Sequence, residues 1–296
     1  MKDRTAYIVL LLTTLFWGGN AVAGKMAVGH VSPMLLTTAR WLIAFAVLAA
    51  IGWPRLKADW PVVRKRLVFL TVLSSAGFAV FNLALYSALL FTSAINVSIE
   101  QAGMPMLIFV ANFVLFRTRV AWAQIVGFVV SLAGVALTAA HGEPARLLDL
   151  AVNFGDALML IALVVYAGYT VALRFRPAVH WQSLMIVMCG AAAVSSMPFA
   201  LAEYLYGTAI LPDARGWAVI GYTALFPSIL AQVFYIRGVE LIGANRAGLF
   251  INLVPIFGTL LAIVLLGETF FFYHAVAMAM VLGGIALAEW GGRRAA

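Results

Sequence analysis

Apolar positions do not alternate with polar ones along most of this chain. They form long uninterrupted runs separated by short polar breaks. A run of about 20 apolar residues is the length of a helix that crosses the hydrocarbon core of a bilayer. The pattern predicts ten such helices, over 6–28, 33–52, 67–91, 93–116, 120–140, 153–174, 181–202, 216–239, 243–266 and 269–290. Most breaks are tight reversals, so neighbouring helices run antiparallel. The longest breaks, 53–66, 141–152 and 203–215, leave no room for a further folded domain.

The pattern is written twice. The stretch 81–137 lies without a gap on 231–287. Ala94 falls on Ala244, Pro105 on Pro255, Val114 on Val264 and Leu115 on Leu265. Leu132, Gly134, Ala136 and Leu137 fall on Leu282, Gly284, Ala286 and Leu287. The first and sixth runs also agree, with Trp17 over Tyr166, Gly19 over Gly168, Val22 over Val171, Ala23 over Ala172 and Lys25 over Arg174. The repeating unit is therefore five helices. An odd number places the second copy in the membrane from the opposite side, which is the inverted repeat of secondary transporters. The expected fold is an all-α polytopic membrane protein: ten helices in two inverted five-helix repeats around a central cavity. The halves are 1–140 and 153–296, joined by an extracytoplasmic linker, 141–152.

Composition agrees. The chain is 65% hydrophobic and 10% charged, with a mean hydropathy of +1.04. A soluble domain would need far more polar surface. The net charge of +8 does not indicate nucleic acid, because the basic residues sit between apolar runs. With a cytoplasmic N-terminus, inside segments hold Lys2, Arg4, Arg55, Lys57, Arg64, Lys65, Arg66, Arg117, Arg119, Arg174, Arg176, Arg237, Arg246, Arg293 and Arg294. The outer side holds only Lys25, Arg146 and Arg215. That is the positive-inside bias, with both termini cytoplasmic. Ala21-Val22-Ala23 imitates a signal-peptide cleavage site, but the apolar run continues to Val28 and reads as an uncleaved first helix. Cys189, the single cysteine, lies in an apolar run, which excludes an intrachain disulfide.

Candidate chemistry lies at membrane depth. Pro105 and Pro255 occupy the middle of the fourth and ninth helices, and Pro227 aligns with Gly77. These are hinges or static kinks, since an interior proline removes a backbone hydrogen bond. Arg40 and Glu100 each lie roughly 10 Å inside the outer end of their helices. Charged groups there are costly. They read as an ion pair, as partners for the carboxylate and ammonium of a zwitterionic substrate, or as a structural bridge. Lys25 and Arg174 sit nearer helix ends, where they snorkel or gate. Asn20, Asn82, Gln101, Gln232 and Asn252 offer uncharged hydrogen bonds, and Trp17, Tyr86, Tyr166, Tyr169 and Tyr235 offer aromatic surface. Such a set suits a small neutral or zwitterionic substrate with an apolar body. Part of it also serves as helix glue. The four histidines have no metal-ligand spacing, and no phosphate loop or nucleophile motif is present, so neither a cofactor nor an enzyme is expected.

Phe16-Trp17-Gly18-Gly19-Asn20, Arg40 and Leu266-Gly267-Glu268, set in ten helices, resemble the EamA family of the drug/metabolite transporter superfamily. More narrowly, the chain is similar to YddG-type exporters of aromatic and other neutral amino acids. The resemblance implies a ten-helix basket, alternating access and efflux across the bacterial inner membrane. Cargo would resemble Phe, Tyr, Trp, Met or Thr, flanked by Trp17 and Tyr166 and oriented by Asn82, Gln232 and Tyr86. The first half departs from the family pattern at Phe116-Arg117-Thr118, where the second has Leu-Gly-Glu. With Glu100 the only deep carboxylate, facilitated diffusion is expected over proton coupling. Two alternatives stay open: a carrier of another metabolite or drug in either direction, and a non-transporting scaffold or sensor.

Overall fold

The computed structural model describes residues 2–117, 122–143, 153–243, 247 and 250–295, and every regular element among them is helical. The expected linker lies largely outside the described residues, as do Arg119, Arg146 and Arg246 of the charge pattern. The helices are α1 (Lys2–Ala27), α2 (Pro33–Val63), α3 (Leu67–Ser74), α4 (Phe81–Ala88), α5 (Ala94–Ala102), α6 (Met104–Phe116) and α7 (Trp122–Ala139). The second half holds α8 (Phe154–Ala172), α9 (Trp181–Leu205), α10 (Ala214–Leu225), α11 (Ala231–Ile242), α12 (Val254–Leu261) and α13 (Phe272–Ala295).

Among the described residues, seven helices are long and apolar enough to cross a membrane, and Ile251–Leu266 and Phe272–Ala288 are shorter apolar helices. One of the seven, Pro33–Ala88, runs 56 residues. At 1.5 Å per residue it would be nearly three bilayer cores long. The 3-10 turn Arg64–Arg66 breaks it. Both α2 and α3 pack on α9, and Arg40 of α2 reaches Asn82 and Tyr86 of α4, so the chain folds back at this basic turn. Helix α2 itself passes its expected end at 52 and continues to Val63. Buried Leu56 and Val63 hold the extension despite Pro54 and Pro61. Val68, Val72, Val114, Val194 and Val264 are well exposed, as a lipid-facing surface requires and an aqueous one does not favour.

Helix starts follow local chemistry. Ser93 Oγ accepts from Asn96 N–H, Asn153 Oδ1 from Gly155 N–H and Asp213 Oδ1 from Gly216 N–H. Each satisfies a donor that the first turn leaves open.

Repeat-related runs pair with one another: α2 packs on α9, α7 on α13, and α5 of the fourth run on α12 of the ninth. Helix α1 packs on α11 and α12, as its counterpart α8 packs on α4 and α6. The α7–α13 crossing shows this symmetry in detail. A Cβ at Gly127 would collide with Gly284 O, and one at Gly284 would collide with Gly127 O. The equivalent contact sets Gly134 against Ala277 O, at 2.8 Å. Backbone symmetry survives where the sequence departs: Arg117 (φ 51°) and Gly267 (φ 67°) both end their helices in the left-handed region.

The breaks are matched too. π-helical turns interrupt the third and eighth runs at Ser75–Val80 and Phe226–Leu230. The fourth run breaks at Gly103, and the 3-10 turn Ile251–Leu253 precedes Pro255 in the ninth. A third π turn, Ala262–Leu266, leads to Gly267.

Candidate substrate cavity

A cavity of about 1270 Å³ occupies the centre of the bundle where these breaks meet. It exceeds the roughly 300–1,000 Å³ of ordinary ligand pockets, as a site with an open vestibule would. Gly77, Pro105, Pro227 and Pro255 all lie on its wall. So do Trp17, Asn20, Arg40, Asn82, Gln101, Tyr166, Tyr169, Gln232, Tyr235 and Asn252. Tyr86 and Glu100 do not. Tyr86 stands behind Arg40, and Glu100 faces away from the cavity, toward α8.

The freed backbone groups of the broken helices organise the wall. Pro227 has no N–H, so Thr223 O loses its helical partner. Ser228 Oγ donates to that carbonyl at 2.8 Å. Trp17 Nε1 donates to Pro227 O at 3.2 Å. In the other half, Trp41 Nε1 donates to Phe78 O at 3.2 Å, and Asn82 Nδ2 donates to the same carbonyl at 2.8 Å. Both π turns thus expose a carbonyl that an indole fills, and such widened turns are frequent at functional sites.

Arg40 is the centre of the polar wall and is 4% exposed. Its Nε donates to Ser228 Oγ at 2.7 Å. Its Nη1 faces Asn20 Oδ1 at 2.9 Å, Asn82 Oδ1 at 2.7 Å and the Tyr86 hydroxyl. Tyr86 in turn donates to Asn20 Oδ1 at 2.9 Å. Among the described residues Nη2 has no hydrogen-bond partner and no carboxylate lies within ion-pair distance. The expected Arg40–Glu100 ion pair is therefore absent. Equal depth placed the two together in the sequence, but their helices turn them to different faces.

From Arg40 an arc of aromatic rings runs along the wall. The guanidinium lies 4.7 Å from the Trp41 ring centre. Trp41 stacks on Phe78 at 4.6 Å, and Phe78 meets Tyr169 at 5.8 Å. Tyr169 meets Tyr166 at 5.1 Å, and Tyr166 meets Phe81 at 4.7 Å. Trp17 and Tyr235 stand 5.4 Å apart elsewhere on the wall. Gln232 and Asn252 carry no side-chain hydrogen bond among the described residues. The sequence did not single out Trp41, Phe78, Phe81 or Ser228 as site residues. Each lies close to a residue it did mark, which was the available signal.

The cavity reaches Leu173 and Ile251, at the end of the bundle where α1 begins. The far end is held shut by polar contacts. Lys25 Nζ donates to Leu89 O and Thr92 O at 2.8 and 2.7 Å. Glu268 accepts from Ala94 N–H and Ile95 N–H at 2.8 and 2.9 Å. Ser32 Oγ donates to Glu203 at 2.6 Å, and His30 meets Asp213 at 2.7 Å. Hydrogen bonds from the Gly216 N–H and from His30 hold the Asp213 carboxyl below its usual range. Lys25 thus binds backbone carbonyls rather than lipid headgroups. Its repeat counterpart Arg174 is exposed and lies over the Phe116 ring at 4.0 Å.

A two-repeat helical membrane protein with a central, partly polar cavity is built as a solute carrier. The profile of the EamA-like transporter family matches residues 4–140 and 153–290, and the chain belongs to that family. It is similar to the uncharacterized transporter YetK of Bacillus subtilis (strain 168), 27% identical over 286 residues, covering 96% of this chain and 86% of that one. The uncharacterized transporter YyaM of the same organism is 25% identical over 302 residues, covering 98% and 95%. The uncharacterized inner membrane transporter YicL of Salmonella typhimurium is 22% identical over 307 residues, covering 100% and 98%. A solved crystal structure shares the fold with a TM-score of 0.64 at 24% identity, over 99% of each chain.

Proposed function

We propose that this transporter exports neutral amino acids, chiefly aromatic ones with Met- and Thr-like cargo, by alternating access through ten membrane spans in two inverted halves. The observation that carries this reading is Arg40: a buried cation on the cavity wall, without an acidic partner among the described residues, at the head of an aromatic arc. An uncompensated buried charge is strongly unfavourable. A substrate carboxylate at Nη2 supplies the missing anion, in the planar geometry that Arg favours. The apolar side chain then lies along Phe78, Tyr169 and Tyr166. The amides of Gln101, Gln232 and Asn252 and the ring faces receive the ammonium group.

The basic turn Arg64–Arg66, with Arg55 and Lys57, argues for a cytoplasmic near end. The cavity then opens inward, the far-end contacts form the outer seal, and the bacterial inner membrane is the setting. The similarity to an inner membrane transporter supports that location. Alternating access is supported by the matched breaks, which let each half adopt the other's shape.

Counterflow in proteoliposomes tests the reading, with labelled amino acids, sugars, nucleosides and cations as a panel. Exchange of phenylalanine and its neutral relatives is expected. Exchange of none of the neutral amino acids overturns it, and exchange of another class alone assigns the carrier to that metabolite.

A further inference from the structure

A buried acid stands outside the cavity. Glu100 on α5 has no exposed surface, and neither carboxyl oxygen has a hydrogen-bond partner. An ionised carboxylate cannot persist there unless a proton or a cation neutralises it. The charge that acts on it has the same sign. Asp156, in the first turn of α8, is equally buried, and the two groups repel. Like charges buried near one another disfavour joint ionisation.

A route to solvent leads from this pair. Asp156 Oδ2 lies 3.1 Å from His141 Nε2, within ion-pair range though without hydrogen-bond alignment. The His141 side chain is 32% exposed, so it reaches the surface at the far end. The Thr92 and Asn96 side chains also face Asp156. His274 Nδ1 accepts from Phe271 N–H at 3.0 Å, which leaves the ring proton on Nε2, facing Asn96 Oδ1 at 3.1 Å. Asn96, one turn before Glu100, donates to Thr92 Oγ1 at 3.2 Å. Lys25 and Glu268 are bound to the α4–α5 turn, and Glu143 is exposed beyond His141. Helices α6, α7 and α12 bring no titratable side chain.

We propose that Glu100 and Asp156 bind one proton, exchanged with the outer solution through His141, and that its binding and release are coupled to substrate movement. The link to the cavity is α5 itself. Gln101 and Ala102, directly after Glu100, line the cavity, and the helix then breaks at Gly103. A movement of α5 that reshapes the cavity also moves Glu100 against α8. The expectation of facilitated diffusion rested on a single deep carboxylate, and folding brings a second to it. The coupling rests on the transport reading, whereas the proton site does not.

Infrared difference spectra of the purified full-length protein, taken across roughly pH 5 to 9, read the carbonyl band of a protonated acid. A titrating band that is lost in Glu100→Gln and shifted in His141→Gln is expected. Asp156→Asn removes the second acid independently and must shift the same band. A band unaltered in correctly folded Glu100→Gln and Asp156→Asn overturns the site. In proteoliposomes holding a pH indicator, a phenylalanine gradient should move protons with the wild-type protein, and that flux should be lost in Asp156→Asn. Phenylalanine counterflow without any pH change overturns the coupling. Absence of wild-type counterflow overturns the substrate reading instead, and the infrared band still decides the proton site.

Discussion

Replacing Arg40 by glutamine tests the substrate anchor most directly. The substitution removes Nη2 from the cavity wall, along with the donors to Ser228, Asn20, Asn82 and Tyr86. Each of those partners keeps another bond: Ser228 to Thr223 O, Asn82 to Phe78 O, and Asn20 to Tyr86. The wall is therefore weakened but not dismantled. A hydrogen bond to a charged group contributes about 1.5–3 kcal/mol. At 1.4 kcal/mol per decade, losing one such contact weakens binding of phenylalanine roughly ten- to hundredfold. Phenylalaninamide lacks the carboxylate, so its affinity should change little. Titration calorimetry on detergent-purified wild type and Arg40→Gln gives the four affinities, and thermal unfolding of the same samples separates lost binding from lost fold. Arg40→Lys keeps the charge but not the planar fork and should fall between. Equal weakening of phenylalanine and phenylalaninamide, in a variant that remains folded, refutes the anchor.

Gly127→Leu or Gly284→Leu forces the α7–α13 crossing apart, at about 1–3 kcal/mol or more, and should lower the unfolding temperature; an unchanged temperature would contradict the close contact. Glu268→Gln weakens the cap on α5, so with the far end outside, as proposed, a cysteine placed in the α4–α5 turn should react faster with an impermeant maleimide added from outside. An unchanged reaction rate there would argue that the cap does not hold the seal. Because Asp213 is more acidic folded than unfolded, its contribution is present above the usual carboxylate range near about pH 4 and is lost as pH falls through the lower folded value. Asp213→Asn should therefore flatten the acid limb of a stability–pH curve, and an identical limb in both proteins would dismiss the bond to His30 and Gly216 as a stabilising feature.

What could be read from the sequence was whatever depends on position along one helix. Apolar run length located the helices, and Pro105, Pro227, Pro255 and Gly77 located the breaks. The form of those breaks was not legible, because whether a helix bends, widens to a π turn or tightens to 3-10 depends on what receives the freed carbonyls. Trp17 and Trp41 do so from other helices. The reach of α2 to Val63 was missed because Pro54 looks like a terminator until Leu56 and Val63 are seen packed. Rotation about the helix axis was the larger gap. Arg40 and Glu100 share a depth but not a face, and Asp156, in the first turn of its helix, is buried although Glu100 alone counted as deep. The packing of its helix on the one that carries Glu100 is a tertiary fact that no local pattern encodes.

The two halves share a backbone but not a set of locks. Lys25 caps the carbonyl end of α4 while Glu268 caps the N–H end of α5, so one turn is clamped by opposite charges at opposite helix termini. In the other half the counterpart of Lys25 is Arg174, exposed over Phe116, and Thr118 stands in the sequence where Glu268 stands in its repeat. A carboxylate accepting two backbone N–H bonds has no equivalent in a threonine. Exchanging the shapes of the two halves would therefore break the far-end clamp without making a matching one at the near end. The unequal side chains therefore favour the shape with the cavity open at the near end. In the proposed alternating-access cycle, substrate bound at Arg40 and the aromatic arc would supply the interactions that offset the loss of that clamp.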